Sequence, residues 1–271
     1  MEIGVVTDEI SRNLGESLAL CREWGLTHIE LREGSEKRFP GFTSAELALI
    51  EEAISGGFTV TAVSPGTFKC HADDETSIRL DYEEILPRSI DLAIRFACPV
   101  IISFGFERYP GESDRNRVRA MRALELAADR VWEAGLSLAV ENEPDFWVDD
   151  ATDEAAMFEE IGHPGLKANW DPANSHWGGT LPTREGFDAL KTHIVNVHVK
   201  DFTADDPDVP WRPVGQGQTP WAEYLRWVIK DTSVNHVTIE THAPPLIENT
   251  RDSLAALRKL LSQDEFRREV E

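Results

Sequence analysis

The chain is poor in cations, in cysteines and in long apolar runs, and each shortage removes a class of function. Against 49 aspartates and glutamates stand 27 lysines and arginines, a formal net charge of −22. Such a surface repels a phosphate backbone or an anionic membrane, so neither nucleic acid nor membrane is an expected partner. The three cysteines, Cys21, Cys70 and Cys98, are too few and too scattered for a disulfide framework and read as buried small apolar residues. No stretch approaches the roughly 18 consecutive apolar residues of a membrane span. The opening MEIGVVTDEIS reads as a strand, without the basic region, apolar stretch and cleavage site of an export signal, so a cytoplasmic location is expected. Also lacking are a Pro-rich or Gly/Ser-rich linker, a short-period repeat, and a Gly-rich phosphate turn after the first strand.

What remains is a regular alternation. Strand-like runs at 3–7, 28–31, 58–63, 98–104, 136–141, 166–171, 194–199 and 236–240 are each followed by a helix-like run, LGESLALCREWGL after the first and NTRDSLAALRKLLSQ after the last. Thr43-Ser44 and Thr152 with Glu154 resemble helix starts; Gly25, Gly56-Gly57, Gly135 and Gly162 stand where helices should stop. Strands alternating with amphipathic helices imply parallel pairing through right-handed crossovers. Eight such units imply closure, so a single (β/α)8 TIM barrel domain spanning residues 1–271 is expected, with 41% hydrophobic residues to fill it.

The stretch VNVHVKD, residues 195–201, shows what the barrel interior holds. Val195, Val197 and Val199 form one face of a period-two pattern; Asn196, His198 and Lys200 form the other. In a barrel the apolar face meets the helices and the polar face points inward. The same parity turns Ser137, Ala139 and Glu141 inward on strand five, Lys167, Asn169 and Asp171 on strand six, and Thr238 and Glu240 on strand eight. Four consecutive strands thus end in an inward ionisable group, at the carboxyl-terminal mouth where such barrels carry their chemistry. Any one of Glu141, Asp171, His198 and Glu240 alone reads as a strand cap; four in phase do not. Three carboxylates gathered beside an imidazole repel one another unless a cation neutralises them, and this donor set suits Mn²⁺, Mg²⁺ or Co²⁺, with zinc less characteristic.

The motifs AVENEP, NWDPANSHWGG, VNVHVKD, RPVGQGQTPW and VTIET, in that order, resemble the sugar phosphate isomerase/epimerase superfamily with the xylose-isomerase-like TIM barrel, over nearly the whole chain. The resemblance implies that Glu141, Asp171, His198 and Glu240 bind one divalent metal, Mn²⁺ first and Mg²⁺, Co²⁺ or Zn²⁺ as alternatives. It also implies that Glu141 and Glu240 are the acid/base pair on opposite faces of a bound sugar. The expected activity is then a metal-dependent isomerisation or epimerisation of a ketose or related sugar through a cis-enediolate. A small sugar or cyclitol is the expected partner, and a homo-oligomer is compatible with it. Lys200, Asn174, His176, Trp177 and Arg212 are the candidate substrate contacts, with Trp147 and Trp211 as further aromatic surfaces for a sugar ring. Many members carry a histidine where this chain has Asn174, which cannot readily ligate a second metal. The apurinic endonuclease branch needs additional histidines, absent from VSPGTFK and ISFGFER, so nuclease action is not expected. A dehydratase acting on an inosose or dehydroshikimate uses the same enolisation and stays open, as does a sugar-binding barrel without catalysis, which the complete set of glutamates disfavours.

Other residues point elsewhere. Cys70-His71 lacks a second half for a metal site. Glu30 and Arg32 read as a structural ion pair on strand two. Asp8-Glu9 read as mouth-lining or helix-capping residues, and His242 as a substrate-orienting or solvated loop residue. The Gly215-Gln216-Gly217 turn reads as a tight connection into a helix or, alternatively, as a phosphate cradle.

Overall fold

The computed structural model describes residues 1–263 and Phe266. Its barrel strands are β1 (Glu2–Val6), β2 (His28–Leu31), β3 (Thr59–Val63), β4 (Val100–Phe104), β5 (Ser137–Glu141), β6 (Leu166–Trp170), β7 (Ile194–Val199) and β8 (His236–Ile239). They close in the order β1-β8-β7-β6-β5-β4-β3-β2, every neighbouring pair parallel. Closure leaves no open edge, and helices between successive strands cover the outside. No helix among the described residues is long and apolar enough to cross a membrane.

Local chemistry accounts for the helix ends. Thr43 and Glu46 form a reciprocal capping box at the start of helix Ser44–Ser55. Helix Ala151–Ile161 starts from Asp150, whose carboxylate accepts from the amides of Thr152 and Asp153, so Asp150 takes the capping role expected of Thr152. The same helix ends at Gly162 in the left-handed region, φ 68°. The helical segment between β3 and β4 starts at Glu75, where Asp74 caps it by accepting from the Ser77 amide. It passes through a wider turn at Asp81–Ile85 before Leu86–Arg95. Pro87 stands two residues beyond that turn; lacking an N–H, it leaves a gap in the helical ladder that a wider turn accommodates.

The packing follows the parity argument with one exception. Leu138, Val140, Ala168, Trp170, Val197, Val199, Val237 and Ile239 all join the layer between strands and helices. Val195 instead packs against Ala62, Val100, Ile102 and Ala139, a small separate cluster that fills the barrel. The cause is an irregularity in the β6–β7 ladder: Ala168 pairs with Ile194, whereas the next residue, Asn169, pairs with Asn196. Val195 is the extra residue, and it is released from alternation. Above that plug the inward side chains become polar.

Candidate functional site

At the mouth, Glu141 closes β5, Asp171 follows β6, His198 lies on β7 and Glu240 follows β8. All four are buried, and each offers a ligand atom within 4.8 Å of the other three. Asp171 is held in place twice. It caps the short helix Pro172–Trp177 by accepting from the Asn174 amide at 2.9 Å, and Asn142 grips its backbone N–H and carbonyl, each at 2.8 Å. His198 presents Nδ1 to Glu141 Oε1 and Glu240 Oε2, 3.4 Å from each. Its other nitrogen, Nε2, lies 3.0 Å from Glu30 Oε2, which also accepts from Asn196 Nδ2 at 3.1 Å. A carboxylate on one ring nitrogen fixes the tautomer that leaves the other nitrogen free as a ligand.

Lys200 sits inside this cluster, its ammonium 2.8 Å from Asp171 Oδ2 and 2.7 Å from Glu240 Oε2. Arg32 reaches the other oxygen of Glu240 at 2.6 Å and also pairs with Asp8 and Glu9. The carboxylates are therefore neutralised in part by two cations of the chain itself, a balance that the strand-end pattern alone did not reveal. The charge states follow. Burial works against ionisation of Glu240, yet Lys200, His242 and His198 hold its carboxyl well below the usual range. Glu141 is likewise lowered against its burial, chiefly by His198. Burial opposes the charge on His198, but Glu30, Glu240 and Glu141 push it well above the ordinary imidazole value. Asp171 is raised, since burial outweighs the attraction of Lys200.

Glu30 and Arg32 do not pair with each other: the first orients His198 and the second binds Glu240, Asp8 and Glu9. This corrects the reading of a structural ion pair, and it puts Asp8 and Glu9 at the mouth. His242 joins the same edge, its Nδ1 2.8 Å from Glu9 and Nε2 3.5 Å from Glu240. Asn174, Trp177 and Lys200 line the mouth cavity, as does Trp211, whose ring lies 5.2 Å from that of Trp177 and 5.1 Å from the Lys200 ammonium. Asn174 Nδ2 comes within 3.4 Å of Glu141 Oε1.

The remaining candidates lie away from this cavity. Arg212 turns to Asp206 at 3.0 Å and to the carbonyls of Val209 and Trp211. His176 packs edge-on against Phe202, and Trp147 is buried beneath Arg108. His71 pairs with Glu107 and stacks on Tyr109, while burial pushes the Cys70 thiol up to about 12. The Gly215-Gln216-Gly217 turn is not free for a phosphate, because the Asp201 carboxylate already accepts from the amides of Gly215, Gly217 and Thr219.

Glu30, Arg32 and Asn142 contact the candidate site residues, and sequence reasoning assigned none of them to the site. The sequence put Glu30 and Arg32 on strand two, but it carried no information on which residues of other strands they meet.

Residues 18–260 match the family described as xylose isomerase-like TIM barrel. No curated protein matches the chain by sequence. Among solved structures the chain is similar to the probable 3-DHS dehydratase AsbF of Bacillus anthracis, 17% identical over 95% of this chain and 99% of that one, with a TM-score of 0.80. It is similar to the IOLI protein with a bound zinc atom, 16% identical over 97% and 98%, TM-score 0.81. It also resembles the D-allulose 3-epimerase of a Methylomonas species in complex with D-allulose, 14% identical over 96% of each chain, TM-score 0.74. At such identities the likeness is one of fold.

Proposed function

The chain belongs to the xylose isomerase-like TIM barrel family, and from that premise we propose that it is a divalent-metal-dependent isomerase or epimerase of a ketose or related polyhydroxy ketone. The observation that carries this reading is the convergence of Glu141, Asp171, His198 and Glu240 on one point at the barrel mouth. The donor set fits a metal: three carboxylate oxygens and one imidazole nitrogen suit a hard or borderline ion such as Mn²⁺, Mg²⁺, Co²⁺ or, less typically, Zn²⁺. Asp171 Oδ2 is fully buried and its partner is the Lys200 ammonium 2.8 Å away, a contact that an ion bound there would replace. When bound, a divalent ion polarises a carbonyl and so acidifies the adjacent C–H.

The protein's own groups supply the proton transfer. Glu141 and Glu240 come from strands separated by β6 and β7, so they reach a substrate in the mouth from different directions. Both are held ionised, the form a base requires. Abstraction by one ionised glutamate, with delivery from the opposite face by the other after it has taken up a proton from solvent, inverts a carbon centre and leaves the abstracting glutamate protonated; return of the abstracted proton to the neighbouring carbon, with a hydroxyl proton passing between the two oxygens, interconverts ketose and aldose. Asn174, whose Nδ2 meets Glu141 Oε1 and donates to the Asn142 carbonyl, would exchange its long contact to Glu141 for a sugar hydroxyl, and Trp177 with Trp211 would offer an aromatic surface to the ring. The substrate is a small molecule rather than nucleic acid, a reading supported by the net charge of −22.

A second reading, dehydration of a cyclic polyhydroxy ketone, is favoured by the two donors at the cavity, Lys200 and His242, either of which could protonate a departing hydroxyl. One experiment separates the outcomes. The metal-loaded protein is incubated in D₂O with a panel of ketoses and cyclitol ketones. Deuterium at the carbon beside the carbonyl supports isomerisation or epimerisation, loss of water supports the dehydratase, and no exchange with any member refutes enolisation.

A further inference from the structure

The mouth cavity, about 690 Å³, is lined by charges of both signs. Almost all of its cations face a carboxylate. Arg12 pairs with Glu33; Arg32 with Asp8, Glu9 and Glu240; Lys69 with Glu143; Lys200 with Asp171 and Glu240; His242 with Glu9. Arg38 is the exception. Among the described residues it makes no ion pair, and its guanidinium is held only by neutral groups: Nε donates to the Ser64 carbonyl and Nη2 to Ser64 Oγ, both at 3.0 Å.

The seat of Arg38 is built rather than incidental. Gly66 has a φ of +81°, a conformation that favours glycine, and a Cβ there would come within 2.7 Å of Arg38 Nε, so the arginine side chain packs closely over this backbone. A half-buried guanidinium without a carboxylate in direct contact is costly, and in a chain with 49 acidic residues such a partner would be easy to supply. Burial and the nearby Arg32 lower the proton affinity of Arg38 by more than Glu33, Asp8 and Glu141, none of them in ion-pair contact with it, restore it. The position matters too. Arg38 follows β2 and Ser64 follows β3, so both stand across the eight-stranded mouth from Asp171 after β6 and His198 on β7.

We infer that the substrate carries an anionic group, a carboxylate or a phosphate, which Arg38 binds on the β2–β3 side of the mouth while the reacting carbon lies at Glu141 and Glu240. This rests on the proposed function for the reacting end and adds the substrate class: an acidic sugar, a sugar phosphate or a cyclitol carboxylate rather than a neutral sugar. Guanidinium pairs planar carboxylates and phosphates through two parallel donors, and Arg38 has Nη1 and the second hydrogen of Nη2 free for such a fork.

The test uses reduced analogues that have no carbonyl, so that binding is read without turnover. Calorimetric titration compares sorbitol with gluconate and sorbitol 6-phosphate, and myo-inositol with quinate, on the metal-loaded wild type and on Arg38→Met and Arg38→Lys. The acidic member of at least one pair should bind about tenfold to hundredfold more tightly, as a charge-assisted pair does. Whether gluconate and quinate or sorbitol 6-phosphate shows the gain tells carboxylate from phosphate. Arg38→Met should bring the ratio towards one, and Arg38→Lys should keep part of it; thermal melts of both variants check folding. Equal binding of neutral and acidic members in every pair, or an undiminished preference in Arg38→Met, overturns the inference. Because the analogues cannot enolise, this result is independent of whether deuterium exchange supports the proposed reaction.

Discussion

Replacing Glu30 by Gln should weaken metal binding although Glu30 is not itself a ligand. Its Oε2 lies 3.0 Å from His198 Nε2 and accepts from Asn196 Nδ2 at 3.1 Å, and the residue is fully buried. As long as a carboxylate stands there, Nε2 must carry a hydrogen and Nδ1 faces Glu141 and Glu240 with its lone pair once the second proton has left. A glutamine of the same shape can offer an N–H instead, which favours the tautomer that points a hydrogen from Nδ1 into the cluster. Loss of such a supporting carboxylate typically costs about 10- to 100-fold in metal affinity. By the usual conversion this is about 1.4 to 2.8 kcal/mol. The assay is calorimetric titration of the metal-free protein with Mn²⁺ in two buffers of different ionisation enthalpy.

The buffers matter because His198, raised above its ordinary value in the metal-free site, must release a proton to ligate. Apparent affinity should therefore rise with pH, and the heat should depend on the buffer. The linkage has a definite sign for stability. A histidine raised in the folded state contributes stability that is fully present below its unfolded value, near 6.5, and is lost as pH rises through the folded value. The metal-free wild type should lose stability over that window, and Glu30→Gln should lose less. Affinity in Glu30→Gln equal to the wild type, with the same proton release, would refute the positioning argument.

Glu141→Gln and Glu240→Gln should keep most of the metal yet turn over about 10²- to 10⁴-fold more slowly on a substrate found by the exchange panel, without rescue by excess metal; near-normal turnover in both would end the two-glutamate mechanism. Asp171→Asn and His198→Ala should instead lose metal, and excess metal should restore part of their activity, a contrast read by elemental analysis beside kinetics. His236 is lowered to about 4 by burial and by the nearby His28 and His198, so the unfolded chain binds its proton more readily. It should cost stability as pH falls from about 6.5 towards 4, by up to roughly 3 kcal/mol. Denaturant unfolding of His236→Asn should show a shallower loss over that range, and an identical slope would rule the assignment out. Asp201→Ala should destabilise the chain by roughly 3 kcal/mol, since several backbone amides around the Gly-Gln-Gly turn would lose a charged acceptor; a melting temperature unchanged from wild type would show that water replaces the carboxylate.

Much of this molecule is determined by short-range pattern. The alternation of two-residue and 3.6-residue periods requires eight strand–helix units, and apolar faces as long as Leu166, Ala168 and Trp170 can be buried only beneath helices. Once the barrel closes, parity carries Glu141, Asp171, His198 and Glu240 to one mouth, because each is in phase with its own strand and the strands run parallel. Long-range meetings are of another kind. Glu30 reaches His198 across 168 residues and Arg32 reaches Glu240 across 208. Those encounters depend on the stagger of one strand against another, and no local period encodes that stagger. The irregularity that turns Val195 into the barrel belongs to the pairing of β6 with β7, so neither strand announces it alone. The loops after the strands are freer still. Arg212 was legible as a cation near the mouth and Arg38 was not. The path of each loop sent the first to Asp206 and left the second over Gly66, facing the cavity without a carboxylate. Sequence period thus determines which side of a strand a residue occupies, and tertiary closure decides which charges meet and which cation of the mouth, among the described residues, is left without an ion pair.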